Sequence, residues 1–383
     1  MLKWTDDNGV MHDKVQIAMN RLKTFEPKEG GGYFLAFSGG KDSQCIYHLA
    51  KMAGVKFDAH YSVTSVDPPE LIQFIKEHYQ DVSRDIPHDK DGKPVTMWSL
   101  IAKHTIPPTR MARYCCDALK EVSGKGRVVI TGVRWAESPR RKALHGVVNI
   151  TTTSKKLIGK ALNEVEGATL NKRGGLIMND DNDDARRMVE MCFRTKKTMV
   201  NPIIDWTDED VWEFLNEVVK VPHCCLYDPP HNCKRIGCIG CPIAGSKKML
   251  QDFEKYPKYK QAYLKAFEKM IENHPGSIRI LDERVDVSDL GAGGGTQLVD
   301  LGQQQRSTEM GNPAGESQMP STSSIGGSGC IVGKGLSAKI DGKSFSEWTM
   351  EWWLTDKGKD YRDYCKERCI ALAEAYHKQK ERP

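Results

Sequence analysis

The chain has 383 residues, 39% hydrophobic and 28% charged, with 34 glycines, 12 cysteines and a net charge of +5. This composition excludes a wholly disordered or fibrous protein, and no apolar run approaches the roughly 18–20 residues of a membrane span. The acidic N-terminus, Met1-Leu2-Lys3-Trp4-Thr5-Asp6-Asp7, lacks a signal peptide's apolar stretch, so a cytoplasmic, membrane-free chain is expected, whose cysteines serve metal or redox chemistry rather than disulfides.

An amphipathic helix is predicted over Met11–Lys23, with Val15, Ile17, Ala18 and Leu22 on one face. Tyr33-Phe34-Leu35-Ala36-Phe37 reads as a buried strand, Ser38–Ser43 as a glycine turn and Gln44–Met52 as a helix. Phe57–Val63 is a second strand, and Asp67-Pro68-Pro69-Glu70 starts a helix leading to Tyr79. Met97–His104 and Arg110–Val122 read as helices, and Arg127–Thr131 as a third buried strand. Strands alternating with helices imply an α/β fold, a doubly wound and mainly parallel sheet.

The pattern weakens between Arg140 and Met191, so about 141–195 is expected to be an excursion from the sheet, lid-like or mobile. Thr198–Ile204 reads as a strand, and Thr207-Asp208-Glu209-Asp210 as the cap and acidic first turn of a helix through Val219. Tyr256–Glu272 is a helix, residues 288–337 have the composition of a flexible linker, and Tyr361–Lys380 is a last helix. The predicted organisation is an N-terminal segment 1–30, a nucleotide-binding domain 31–245 with its cysteines at 224–241, a helical extension 246–287, the linker, and a C-terminal segment 338–383.

Ser38-Gly39-Gly40-Lys41-Asp42-Ser43 stands where a buried strand gives way to a helix, which is an anion site in physical terms. The glycines let backbone N–H groups approach a phosphate, Lys41 adds charge, and Ser38 and Ser43 add hydroxyls. Asp42 can cap the helix or hold a Mg²⁺ ion that bridges phosphates. The plainer reading is a strand-to-helix turn capped by Asp42. A Walker A loop would need glycine at Leu35 and Ser or Thr at Asp42, and a dinucleotide fingerprint would need a third glycine.

The hexapeptide resembles the Ser-Gly-Gly-x-Asp-Ser motif of PP-loop ATP pyrophosphatases, the adenine-nucleotide alpha-hydrolase superfamily. The resemblance implies pyrophosphate held in the turn and ATP cleaved between its α and β phosphates. The loop after the third strand, Gly132-Val133-Arg134-Trp135-Ala136-Glu137-Ser138-Pro139-Arg140-Arg141, should face the same crevice, and its arginines could clamp phosphate or sulfate. Its Gly-x-Arg-x-x-Glu-Ser-x-x-Arg pattern resembles the phosphoadenosine phosphosulfate reductase branch of that superfamily. So do Arg113–Lys120 and Asn201–Trp206 followed by Asp210-Val211-Trp212. Asp67, just past the second strand, is a candidate contact for ribose, adenine or metal, or else a helix cap. His60, His88 and His104 read as surface or structural residues.

Cys224, Cys225, Cys233 and Cys238-Ile239-Gly240-Cys241 form a dense set open to three readings: a zinc site, a redox dithiol at Cys238 and Cys241, or a [4Fe–4S] cluster. The family resemblance favours the cluster, because iron–sulfur adenylylsulfate reductases pair a Cys-Cys on a helix, here Cys115-Cys116, with a later Cys-x-x-Cys. Cys238 and Cys241 are then the firmest ligands, with Cys115, Cys116 and Cys225 competing for two places. Cys45, Cys192, Cys330, Cys365 and Cys369 read as packing residues or free thiols.

The expected activity is therefore ATP–Mg²⁺ cleavage to AMP and pyrophosphate that activates an acceptor for sulfur transfer. The implied catalytic residues are Lys41, Asp42, Arg134 and Arg140, with Ser38, Gly39, Gly40, Ser43, Asp67 and Gly132 binding the nucleotide. The implied partners are a nucleic-acid acceptor and a desulfurase-like sulfur-donor protein. Sulfonucleotide reduction ranks second, because reductases usually have a degenerate glycine loop and a C-terminal catalytic cysteine, whereas here the loop is complete. A non-catalytic nucleotide sensor or nucleic-acid-binding partner is the alternative from a different class.

Overall fold

The computed structural model describes residues 1–121, 123–151, 154–192, 197–274, 342–355, 360–361, 363–365 and 367. An antiparallel hairpin of β1 (Lys3–Thr5) and β2 (Met11–Asp13) leads into α1 (Lys14–Thr24). Next come β3 (Tyr33–Phe37), α2 (Lys41–Ala53), β4 (Phe57–Ser62), α3 (Pro69–His78), β5 (Ser83–Asp85), α4 (Met97–Lys103) and α5 (Tyr114–Leu119). The chain continues through β6 (Val128–Ile130), α6 (Pro139–Leu144), β7 (Val148–Thr151), α7 (Lys155–Glu164), β8 (Thr169–Leu170) and β9 (Leu176–Met178). Then follow α8 (Asp183–Cys192), β10 (Lys197–Val200), α9 (Asp208–Glu213), α10 (Ser246–Lys255), α11 (Pro257–Asn273) and α12 (Phe345–Thr355).

Eight strands form one sheet in the order β5-β4-β3-β6-β10-β7-β9-β8. The first five run parallel, and β7, β9 and β8 join antiparallel. The fold is thus α/β with a mainly parallel sheet, as expected. Apolar runs with little alternation, Tyr33–Phe37 and Val128–Ile130, are buried because helices cover both faces of such a sheet. The chain leaves β3 for β4 on one side and returns to β6 on the other. This reversal opens a crevice at the C-terminal ends of β3 and β6, where both the glycine turn and the arginine loop emerge.

The structure departs from the sequence reading in four places. The stretch after Arg140 is no excursion from the sheet: it contributes β7, β8 and β9. These strands have only two to four residues, too few for a period-2 pattern to emerge. Met11–Asp13 pairs as β2, and α1 starts only after Asp13, whose carboxylate accepts from Val15 N and Gln16 N. Helix over Arg110–Val122 shrinks to α5, where Lys120 N and Glu121 N both turn back to Cys116 O. The helix opened by Thr207 forms with its capping box, but α9 passes into a π-helical turn at Phe214–Val218. The linker 288–337 and most of the Tyr361–Lys380 helix lie outside the described residues.

The chain divides into two compact units. One comprises residues 1–97 and 112–241, the other 98–111 and 242–383. The second is organised around Trp353, which is fully buried, donates to Pro108 O and packs on Tyr263 and Phe267. No described helix is long and apolar enough to cross a membrane.

In the first unit, buried Asn201 joins the parallel and antiparallel parts of the sheet. Its Nδ2 donates to Gly146 O at 2.7 Å and Asn149 Oδ1 at 3.0 Å, and its Oδ1 accepts from Thr131 Oγ1. Asn201→Ala strands these buried groups and should cost about 1–3 kcal/mol, read as a lower urea midpoint. Asp210, with no exposed surface, accepts from Lys14 Nζ and Thr207 N. Desolvation opposes its charge, but those donors hold its pKa down to about 2. A depressed folded-state pKa stabilises fully above the ordinary carboxylate value and ceases to as pH falls through about 2. Wild-type stability should therefore fall between about pH 4 and pH 2 in denaturation scans, and Asp210→Asn should lack that component.

Candidate functional site

Buried β3 delivers the chain to the crevice at Ser38. Gly39 has φ +72°, and a Cβ there would lie 2.8 Å from both Leu71 and Ile75 on α3. Only glycine fits that conformation and that gap. Gly40 caps α2 without any side-chain hydrogen bond, which leaves the helix N-terminus to other acceptors. Lys41 N–H donates to the Tyr227 hydroxyl at 2.9 Å. Ser38 Oγ donates to Ser43 Oγ at 3.2 Å, and Ser43 Oγ donates to Gly40 O at 2.8 Å, so the hydroxyls brace the turn.

Beneath the turn lies a quartet of charges. Arg134, 1% exposed, donates through Nε to Asp42 Oδ1 and through Nη2 to Asp208 Oδ1, both at 2.7 Å, and through Nη1 to Trp206 O. Lys41 Nζ is 3.1 Å from Asp208 and 3.7 Å from Asp42. Desolvation opposes the charge of Asp208, yet the hydrogen bonds from Arg134 and Lys41 hold its pKa below the ordinary carboxylate value. Burial likewise opposes the charge of Arg134, and its two carboxylate partners override that. Gly132 makes the packing possible, because a Cβ there would sit 2.9 Å from the Asp42 backbone.

The structure uses Arg134 to order the turn from below. Two other arginines flank the crevice: Arg141 Nε lies 3.3 Å and Arg235 Nη1 3.2 Å from Glu137 Oε2. Burial pulls the Arg141 pKa down, Glu137 and Asp42 oppose this, and Arg235 and Arg113 add repulsion. Arg141 thus feels both the glycine turn and the cysteine-bearing α5. Arg140 is exposed on the first turn of α6.

Cys115 on α5 feels the charge of Cys238 and Cys241, and Cys116 that of Arg113 and Lys120. Cys115 and Cys116 share a side-chain hydrogen bond. It pushes the Cys115 pKa up and, with Arg113 and Lys120 acting against desolvation, holds Cys116 down to about 6. Lys120 has its pKa pushed up by Cys238 first, against desolvation, and then by Asp67 and Cys116. Cys238 Sγ contacts Thr64 Oγ1 at 3.7 Å, and Ile239 N donates to Val66 O at 2.8 Å. Asp67 is buried and accepts from Thr64 N. It does not cap α3, whose N-cap is Pro68. Cys225 is exposed and neighbours Cys224.

Among the described residues, nine cysteines are free thiols, and no three or more His, Cys, Asp or Glu converge to hold a metal ion as they stand. By residue type alone the thiols of Cys115, Cys116, Cys238 and Cys241 suit a soft, sulfur-ligated group. Cys45 and Cys365 are buried packing residues, whereas Cys330, Cys369 and the side chain of Cys192 lie outside the description.

A family model for the phosphoadenosine phosphosulfate reductase domain matches residues 32–244, more than half of the 383. The chain belongs to that family. A comparison with curated proteins found no match. Membership makes this a PP-loop, nucleotide-utilising protein, and the match spans the turn, the arginine loop and both cysteine segments of the family domain. Sequence reasoning missed Tyr227, Asp208 and Lys120 as site residues. Asp208 stood out only as a first-turn acid, and no local pattern places a tyrosine 186 residues away on the turn.

Gly132→Ala should push the Asp42 backbone away, lowering stability by about 1–3 kcal/mol in urea titrations and weakening nucleotide binding in the same protein.

Proposed function

We propose that this family member binds ATP with Mg²⁺ and transfers the adenylyl group to an acceptor, releasing pyrophosphate and preparing the acceptor for sulfur. The observation that carries this reading is the complete Ser38–Ser43 turn at a helix N-terminus whose N-cap, Gly40, offers no side-chain acceptor, with Lys41 and Arg134 gathered beneath it. Backbone donors of the first turn of α2 would receive the β and γ phosphates, and the strand-end position at the switch point suits a nucleotide.

The charges account for the metal. Lys41 and Arg134 are already balanced by Asp42 and Asp208, so the quartet adds no net positive charge. A pyrophosphate group therefore needs further cations, which Arg141, Arg235 and a magnesium ion at the Asp42 and Asp208 carboxylates would supply. In the reaction an acceptor nucleophile bonds to the α phosphorus, the bond to the bridging oxygen breaks, and pyrophosphate leaves with the electron pair. Fixed amide donors stabilise the charge that develops on it without reorganising.

Cys115, Cys116, Cys238 and Cys241 would hold a [4Fe–4S] cluster, with Lys120 and Thr64 beside the sulfurs. Such a group would supply electron transfer or sulfur handling next to the crevice.

Two assays run side by side test the reaction: pyrophosphate released from ATP, and sulfite released from phosphoadenosine phosphosulfate with a thiol reductant. Pyrophosphate release is expected, and sulfite release alone contradicts the proposal. Anaerobic purification tests the cluster. About four irons and matching sulfide per chain are expected, lost in Cys238→Ser, whereas a colourless zinc protein overturns it.

A further inference from the structure

The segment that carries Cys238 and Cys241 reaches into the phosphate site by a route the cysteines do not explain. Tyr227 Oη accepts the Lys41 N–H at 2.9 Å, and a Cβ at Gly40 would lie 3.2 Å from the same oxygen. The tyrosine tip therefore rests against the turn, on a donor that an anion bound at the α2 N-terminus would use. One N–H directed at one acceptor leaves no place for a phosphate oxygen while the hydroxyl stays. The ring is set by an edge contact with Trp212 on α9, with centroids 5.1 Å apart.

The same segment makes three further contacts with the site. Lys234 O accepts from Lys41 Nζ at 3.4 Å, Arg235 Nη1 pairs with Glu137 at 3.2 Å, and Ile239 N donates to Val66 O at 2.8 Å. Cys233 N donates to Leu226 O at 2.9 Å, which ties the stretch holding Lys234 and Arg235 to the turn holding Tyr227. Displacing the hydroxyl thus disturbs a stretch that is continuous with Cys238.

We propose that Tyr227 sets the affinity of the phosphate site: its hydroxyl holds the Lys41 N–H in the free protein, and an arriving phosphate oxygen replaces it and loosens the segment leading to Cys238 and Cys241. This inference rests on the reading of the glycine turn as a phosphate site. It adds that occupancy there is transmitted to the cysteine segment and that binding is weakened by an internal competitor. Tyr227 is a positioning residue, since it acts through the Lys41 amide and Cys238.

The test uses the full chain and Mg²⁺–pyrophosphate. Tyr227→Phe keeps the ring against Trp212 and removes only the competing oxygen. Calorimetric titration should show it binding pyrophosphate about two- to tenfold tighter than wild type, the worth of one net hydrogen bond. Deuterium exchange on the wild-type protein supplies the second readout: pyrophosphate should slow exchange across 38–44 and speed it across 224–241. Equal or weaker binding by Tyr227→Phe overturns the proposal, as does unchanged or slower exchange across 224–241. If wild type and variant bind equally, the phosphate site stands and only the role of Tyr227 falls. If neither binds, both readings fall.

Discussion

A buried arginine, Arg134, is the interaction on which the site depends. A guanidinium 1% exposed would be costly without partners, and here Asp42 and Asp208 each take one of its edges at 2.7 Å. Those partners belong to different elements. Asp42 opens α2, Asp208 opens α9, and Arg134 itself follows β6, so one side chain fixes the relation of three segments at the crevice. Lys41 completes the set through Asp208. The cost of burying the Lys41 and Arg134 charges is offset by their pairing with Asp42 and Asp208, and the outcome is a turn whose amide donors are ordered in advance.

That arrangement also explains why the small residues stand where they do. Gly132 admits the Asp42 backbone, and Gly39 admits the side chains of α3. Outside this centre Arg141 and Arg235 share the one carboxylate of Glu137, and Lys120 is set among Cys238, Cys116 and Asp67.

Much of this was legible in the sequence, for identifiable reasons. Strands β3 and β6 declare themselves as short apolar runs, because burial on both faces demands them. The glycine turn is legible because backbone conformation and close approach restrict residue choice at Gly39. Cys115-Cys116 and Cys238/Cys241 were paired by family likeness alone, and among the described residues no three of them gather as metal ligands. The strands of the insertion were hidden by their brevity. The β1–β2 hairpin was hidden as well, although Asn8-Gly9 is a turn signal beside Trp4 and His12, which stack at 4.8 Å. The roles of Tyr227 and Asp208 at the turn were not legible, since long-range contacts leave no local period, and Asp208 stood out only as a first-turn acid. The role of Arg134 was only half legible: its type announced anion chemistry, but its burial shows that it serves carboxylates first.

The central claim is that the Ser38–Ser43 turn receives the phosphates of a nucleotide and that the Lys41 ammonium takes part. Equilibrium titration of wild type and Lys41→Ala with α,β-methylene ATP and Mg²⁺, which cannot be cleaved at the α–β bridge, tests it most directly. Loss of one charge-assisted contact of about 1.5–3 kcal/mol predicts roughly ten- to hundredfold weaker binding in the variant. Equal affinity in the two folded proteins would contradict the account.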